Sequence, residues 1–122
     1  MKIQYFLFFV LSLFSLFCHA GEADVTELKV RYNGSDSFQI ITTVKHADTG
    51  WDHYADGWEI LDEQGNVLGK RVLYHPHVKE QPFTRSHTLI IPKTVKEITV
   101  RALDSVHGIG GKERTIVLDR TL

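Results

Sequence analysis

The chain is expected to be all-β: a seven-stranded sandwich of the immunoglobulin-like or fibronectin-III-like kind, following an N-terminal secretory signal. Three observations point there. Short runs alternate apolar and polar residues, as strands with one buried face do. Turn residues recur at roughly 8–12-residue spacing, and no 3.6-residue period persists over a useful length. The single cysteine, Cys18, lies ahead of all these runs, so the disulfide of true immunoglobulin domains has no counterpart. A jelly roll or small barrel is the alternative architecture.

The first twenty residues read as a signal peptide. Lys2 supplies a positive charge, residues 5–17 are apolar except for Ser12 and Ser15, and Cys18-His19-Ala20 places small residues at −3 and −1 of a cut before Gly21. The run is too short for a membrane span, which needs about 20 apolar residues. Cys18 does not read as a lipidated residue, because Phe17 stands where a small side chain is expected. The expected organisation is a signal over 1–20 and one domain over 21–122, periplasmic or secreted.

The strands follow in order. Residues 25–32 alternate through Leu28, Val30 and Tyr32 and stop at Asn33-Gly34-Ser35-Asp36. Residues 38–46 alternate through Phe38, Ile40, Thr42 and Val44. A polar, aromatic loop leads to residues 58–62 and 67–75, which flank a Gly-containing hairpin turn. Pro76 and Pro82 mark a connection. Residues 85–91 form the next strand, stopped by Pro92, and 96–103 alternate through Ile98, Val100 and Ala102. The loop 104–112 contains three glycines, and 113–119 close the domain. The alternation predicts an inward set of Leu28, Val30, Phe38, Ile40, Val44, Trp58, Ile60, Leu89, Ile91, Ile98, Val100, Ile116 and Leu118.

Removing the signal takes Met1 and Cys18 with it and shifts the net charge from −1 to −2, while six of the seven histidines stay. Cysteine nucleophiles, thiolate zinc sites and blue-copper sites are excluded. A weakly acidic domain without a basic block is a poor nucleic-acid binder. Asp104, Ser105 and His107 are the residue types of a hydrolytic triad, but they share one loop and no nucleophile elbow is present.

Topology directs the histidines. Strands of such a sandwich alternate in direction, so the loops after the second, fourth and sixth strands share one pole. His46, His53, His75, His77 and His107 all fall there, and the turns at the other pole contain none. His75-Pro76-His77 is the sharpest local signal. In extended chain, residues i and i+2 face one side with Cα atoms about 6.5–7 Å apart, and Pro76 biases His75 toward that conformation. The expected metal ligands are therefore His75, His77, His53 and His107, with Asp52, Asp56 or Asp104 as oxygen alternatives. Imidazole and carboxylate without sulfur suit Cu(II) or Zn(II).

Other readings stand beside this one. A lone H-x-H pair also occurs on ordinary surfaces. His46 and His87 continue the inward alternation of their strands and read as hydrogen-bonded histidines at the core rim. Trp58 reads as a core tryptophan. Arg85 and Arg101 read as loop-bridging cations near Glu80 and Asp104. Trp51, Tyr54, Tyr74 and Phe83 would form a surface for an envelope protein partner if no metal binds.

The segments from Trp51 to Trp58, His75-Pro76-His77, Glu80 to Ser86 and Val100 to Gly108 resemble a family of small secreted bacterial proteins without assigned activity. The resemblance implies a bacterial periplasmic protein and carries no cofactor or catalytic residue. Together, these readings lead to a non-enzymatic metal-binding domain for sequestration, delivery or tolerance. An interaction module without metal is the alternative.

Overall fold

A computed structural model describes residues 21–122; the expected signal peptide lies outside the described residues. Seven strands run in the order β1 (Asp24–Gly34), β2 (Ser37–Lys45), β3 (Ala55–Leu61), β4 (Val67–Val72), β5 (Phe83–Ile90), β6 (Glu97–Asp104) and β7 (Arg114–Val117). They form two antiparallel sheets, β1-β2-β5 and β4-β3-β6-β7. There is no α-helix among the described residues.

The two-residue period explains the core. Phe38, Ile40 and Val44 from β2 meet Trp58 and Ile60 from β3 and Ile98, Val100 and Ala102 from β6, all buried. Each large side chain among them contributes about 1.5–3 kcal/mol by leaving water. Leu28, Val30, Leu89, Ile116 and Leu118 are only partly buried and pack against this cluster from its margins. Ala23, Val25, Ala55, Leu73, Phe83 and Val95 join the core beyond the inward set that alternation predicts.

The same period carries polar groups to the pole. Along β6 the inward positions are 98, 100, 102 and 104, so Asp104 ends the buried face of the strand. Along β2 they are 38, 40, 42 and 44, and His46 continues the phase just past the strand.

Strand ends differ from expectation where loops are tied to the sheet. β3 begins at Ala55 rather than 58, because Ala55 pairs with Asp104 across a bulge. β4 stops at Val72 rather than 75. Leu73 still donates to the Asp56 carbonyl at 2.9 Å, and the chain then leaves the sheet through Pro76. His75 and His77 thus sit in a loop.

The opposite pole is closed by turns and by the C-terminal tail. Gly34, Ser35 and Asp36 all have positive φ, so β1 reverses into β2 within three left-handed residues. Arg120 fastens this turn, donating to Asp36 at 2.7 Å and to the carbonyls of Pro92 and Val95. In the β3–β4 turn, Asp62 Oδ1 accepts the amides of Asn66 and Gln64, and these bonds hold its carboxyl below the usual range.

Candidate metal centre

Three loops meet at the other pole: 46–54, 73–82 and 105–113. Backbone and side-chain bonds stitch them together. Ser105 donates its amide to the Tyr54 carbonyl at 2.9 Å, and its hydroxyl oxygen accepts the Tyr54 amide at 3.1 Å. Gln81 accepts the His46 amide and donates to the His77 carbonyl, joining the first loop to the second.

Asp48 is the hub. It is buried, and one of its oxygens takes His46 Nδ1 at 2.5 Å and the Ala55 amide at 3.0 Å. The other takes the His77 amide at 2.7 Å. A carboxylate on Nδ1 fixes the His46 ring and its tautomer and directs Nε2 inward; metal-bound histidines are held in this way.

His46 Nε2 then faces three other atoms. It lies 2.9 Å from the Gly21 carbonyl oxygen and 3.2 Å from His53 Nε2. His53 Nε2 in turn lies 3.0 Å from Asp104 Oδ1. His46, His53 and Asp104 offer donor atoms that all lie within 4.8 Å of one another, an arrangement that could hold a metal ion.

Hydrogens account for part of this group: one on His46 Nε2 serves Gly21 O and one on His53 Nε2 serves Asp104 Oδ1, which leaves the 3.2 Å contact between the two ring nitrogens without a hydrogen bond. A cation between His46, His53 and Asp104 would instead use both ring nitrogens as ligands. Two of the spacings, 3.2 Å between His46 and His53 and 3.0 Å between His53 and Asp104, match neighbouring ligands at about 2.0–2.1 Å from one metal, which sit roughly 2.9–3.4 Å apart around it.

Asp104 is prepared as an anion. Burial pushes its carboxyl up, but the amides of His107 and Val106 and the His107 ring outweigh that and hold it below the usual range. His107 Nδ1 is 3.2 Å from both carboxylate oxygens, and its ring lies 5.0 Å from that of His53.

The other expected ligands are placed elsewhere. His75 and His77 have ring centroids 4.6 Å apart, but His77 Nε2 accepts from Arg85 at 3.1 Å. The imidazole is buried and stacked on Phe83 at 4.0 Å, and burial followed by the charges of Arg85 and His75 keeps its pKa below 6.5. A guanidinium already occupies the edge that would meet an ion, so His77 does not present its Nε2 to the His46, His53 and Asp104 group. His87 stays between the sheets, edge-on to Trp58 at 6.4 Å. His46, expected at the core rim, is buried and hydrogen-bonded there and also supplies a donor to the cluster. Of the oxygen alternatives, Asp104 is the one brought in. Asp52 is exposed, and Asp56 is tied to Leu73 through its backbone. The even phase of β6 was the available signal for Asp104; Asp48 had none.

The aromatic surface also sorts itself. Trp51 and Tyr74 are 67% and 77% exposed, and Trp51 meets Tyr54 edge-on at 5.6 Å. Phe83 is a correction: at 2% exposure beneath His77 it offers no face to a partner. Arg85 pairs with Glu80 as expected, whereas Arg101 pairs with Glu59, its cross-strand neighbour on β3, rather than with Asp104.

Comparisons with known proteins add a little. No family model matches the chain. It is similar to a protein named "putative lipoprotein" from Halomicrobium mukohataei, 36% identical over 95 residues, or 78% of this chain and 47% of that one. The chain therefore spans about half the length of the curated relative it matches. A solved superoxide reductase from Giardia intestinalis aligns over 78% of this chain and 99% of its own, at 16% identity and a TM-score of 0.46.

Proposed function

We propose that this domain binds a divalent transition metal, Cu(II) or Zn(II), through His46, His53 and Asp104, with His107 steadying the carboxylate, and that it does so without catalysing a reaction. The observation that carries this is the group of three donors, from His46, His53 and Asp104, that lie within 4.8 Å of one another, with the His46 ring fixed through Nδ1 by Asp48. Two imidazoles and a carboxylate without sulfur suit either ion. The ligand set differs from one built on His75 and His77, because Arg85 occupies the His77 edge.

The sheet order, three strands facing four, supports an immunoglobulin-like or fibronectin-III-like sandwich. The sequence signal at 1–20 and the relative's name both support an envelope or secreted location. There the domain would sequester or deliver the ion, or confer tolerance to it. Calorimetric titration of 21–122 with Cu(II) and Zn(II), beside His46→Ala and His53→Ala variants, tests the reading. Stoichiometric binding that both variants lose is expected. Binding no tighter than that of scattered surface histidines, unchanged in the variants, would overturn it.

The second reading, a docking surface for an envelope protein, is favoured by the exposed Trp51 and Tyr74. A partner whose capture persists in a chelator and fails with Trp51→Ala would support it over the metal.

A further inference from the structure

The cluster has a fourth donor, and it belongs to the first residue after the expected signal cut. Gly21 O stands 2.9 Å from His46 Nε2, at the other end of the chain of contacts from Asp104. The spacings along that chain, 2.9, 3.2 and 3.0 Å, are those of successive ligands around one ion.

This position is built. Ala23, two residues on, is fully buried. Val25 donates to the Lys112 carbonyl at 2.8 Å, and Lys112 donates to Asp24 Oδ1 at 2.7 Å. A Cβ on Gly111 would lie 1.9 Å from the Ala23 oxygen, and one on Gly110 would lie 2.9 Å from the Glu22 side chain. The two glycines let the loop that follows Asp104 close over residues 22–24, and this holds Gly21 against His46. Gly21 itself is exposed, and nothing lies within 4 Å of where its Cβ would be.

We infer that cleavage before Gly21 completes the metal centre. The freed α-amino nitrogen and the Gly21 carbonyl oxygen would close a five-membered chelate ring on the ion held by His46, His53 and Asp104. The lone pair of a peptide nitrogen at this position is delocalised into its carbonyl, whereas an α-amine has a localised pair to give. The precursor, in which residue 20 is still attached, then holds the ion weakly, and the processed chain holds it tightly. The inference rests on the metal reading above.

The test uses two forms of the folded domain. One begins at Gly21 with a free amine. The other carries one additional serine before it, which keeps the carbonyl and turns the amine into an amide. Each is titrated with Cu(II), and the first is also made with 15N-glycine and examined by pulsed EPR. The exported protein is sized by mass spectrometry to identify its first residue. The expected result is a chain that starts at Gly21, a 15N coupling to copper, and a Kd that rises about tenfold or more in the extended form. Equal affinity in the two forms, with His46→Ala still abolishing binding, overturns the terminal donor and leaves the side-chain site standing. An exported chain that starts at another residue, such as a lipidated Cys18, also overturns it. Absence of binding in both forms and in the histidine variants defeats the metal reading and the inference together.

Discussion

Asp48 illustrates what a single residue decides at this pole. It touches no ion in the proposed centre, yet it holds the His46 ring through Nδ1 and the second loop through the His77 amide. Asp48→Asn should therefore weaken Zn(II) or Cu(II) binding by about 10–100-fold in calorimetry. His77→Phe should leave affinity within about twofold, since its Nε2 serves Arg85. The same residue makes a pH prediction. Its pKa is held below 6.5, chiefly by burial and then by Arg85 and His75, with Glu80 and Asp48 opposing. The unfolded chain thus binds the proton more readily. The contribution to stability is complete above about 6.5 and is lost as pH falls from there toward the depressed folded value. Urea midpoints measured from pH 8 to 5 should fall more steeply for the native chain than for His77→Phe. Little of this was legible beforehand. Alternation marked His46 as inward, but Asp48 lies in a loop without periodicity, and the H-P-H spacing said nothing about the guanidinium that meets it.

Elements were easier to read than contacts. All seven strands follow from period-two alternation bounded by turn residues, and the inward phases of β2 and β6 lead to His46 and Asp104. What alternation missed was material held by neighbours: Ala23 beneath the 110–112 loop, and Phe83 beneath His77. Phe83 opens β5 and is fully enclosed, so Phe83→Ala should cost about 3–5 kcal/mol in denaturant unfolding. It should also release the His77 ring, seen as a change in its NMR line positions. Gly111→Ala places a methyl group against the Ala23 carbonyl. Hydrogen exchange should then accelerate at the Val25 amide, which pairs with Lys112, while the β2–β5 amides keep their native protection.

At the scale of the molecule, the fold divides its tasks between poles. One end is closed by left-handed turn residues and the Arg120 contacts; the other gathers three loops around histidines and carboxylates. An ion that binds only the folded chain adds stability by mass action, about 2.7 kcal/mol at a hundred times Kd. Thermal melts with and without Cu(II) or Zn(II) should therefore separate by several degrees, and a chelator should close the gap. His53→Ala should show no separation. The polar convergence of histidines was legible in strand order alone. Which of them share an ion was not, because that depends on ring orientations set by Asp48, Arg85 and Asp104.

The clamp on residues 22–25 has its partners in the last quarter of the chain; Lys112 and Asp24 are 88 residues apart. Contacts of such long sequence separation close late, after the entropy of the intervening chain has been overcome. A polypeptide threaded across a membrane from its N-terminus would arrive with this seam open. Residues 22–25 would have nothing to lie against until residues 110–112 had crossed. If the chain is exported as proposed, topology would order unfolded translocation before completion of the pole, with the final stitch made on the far side.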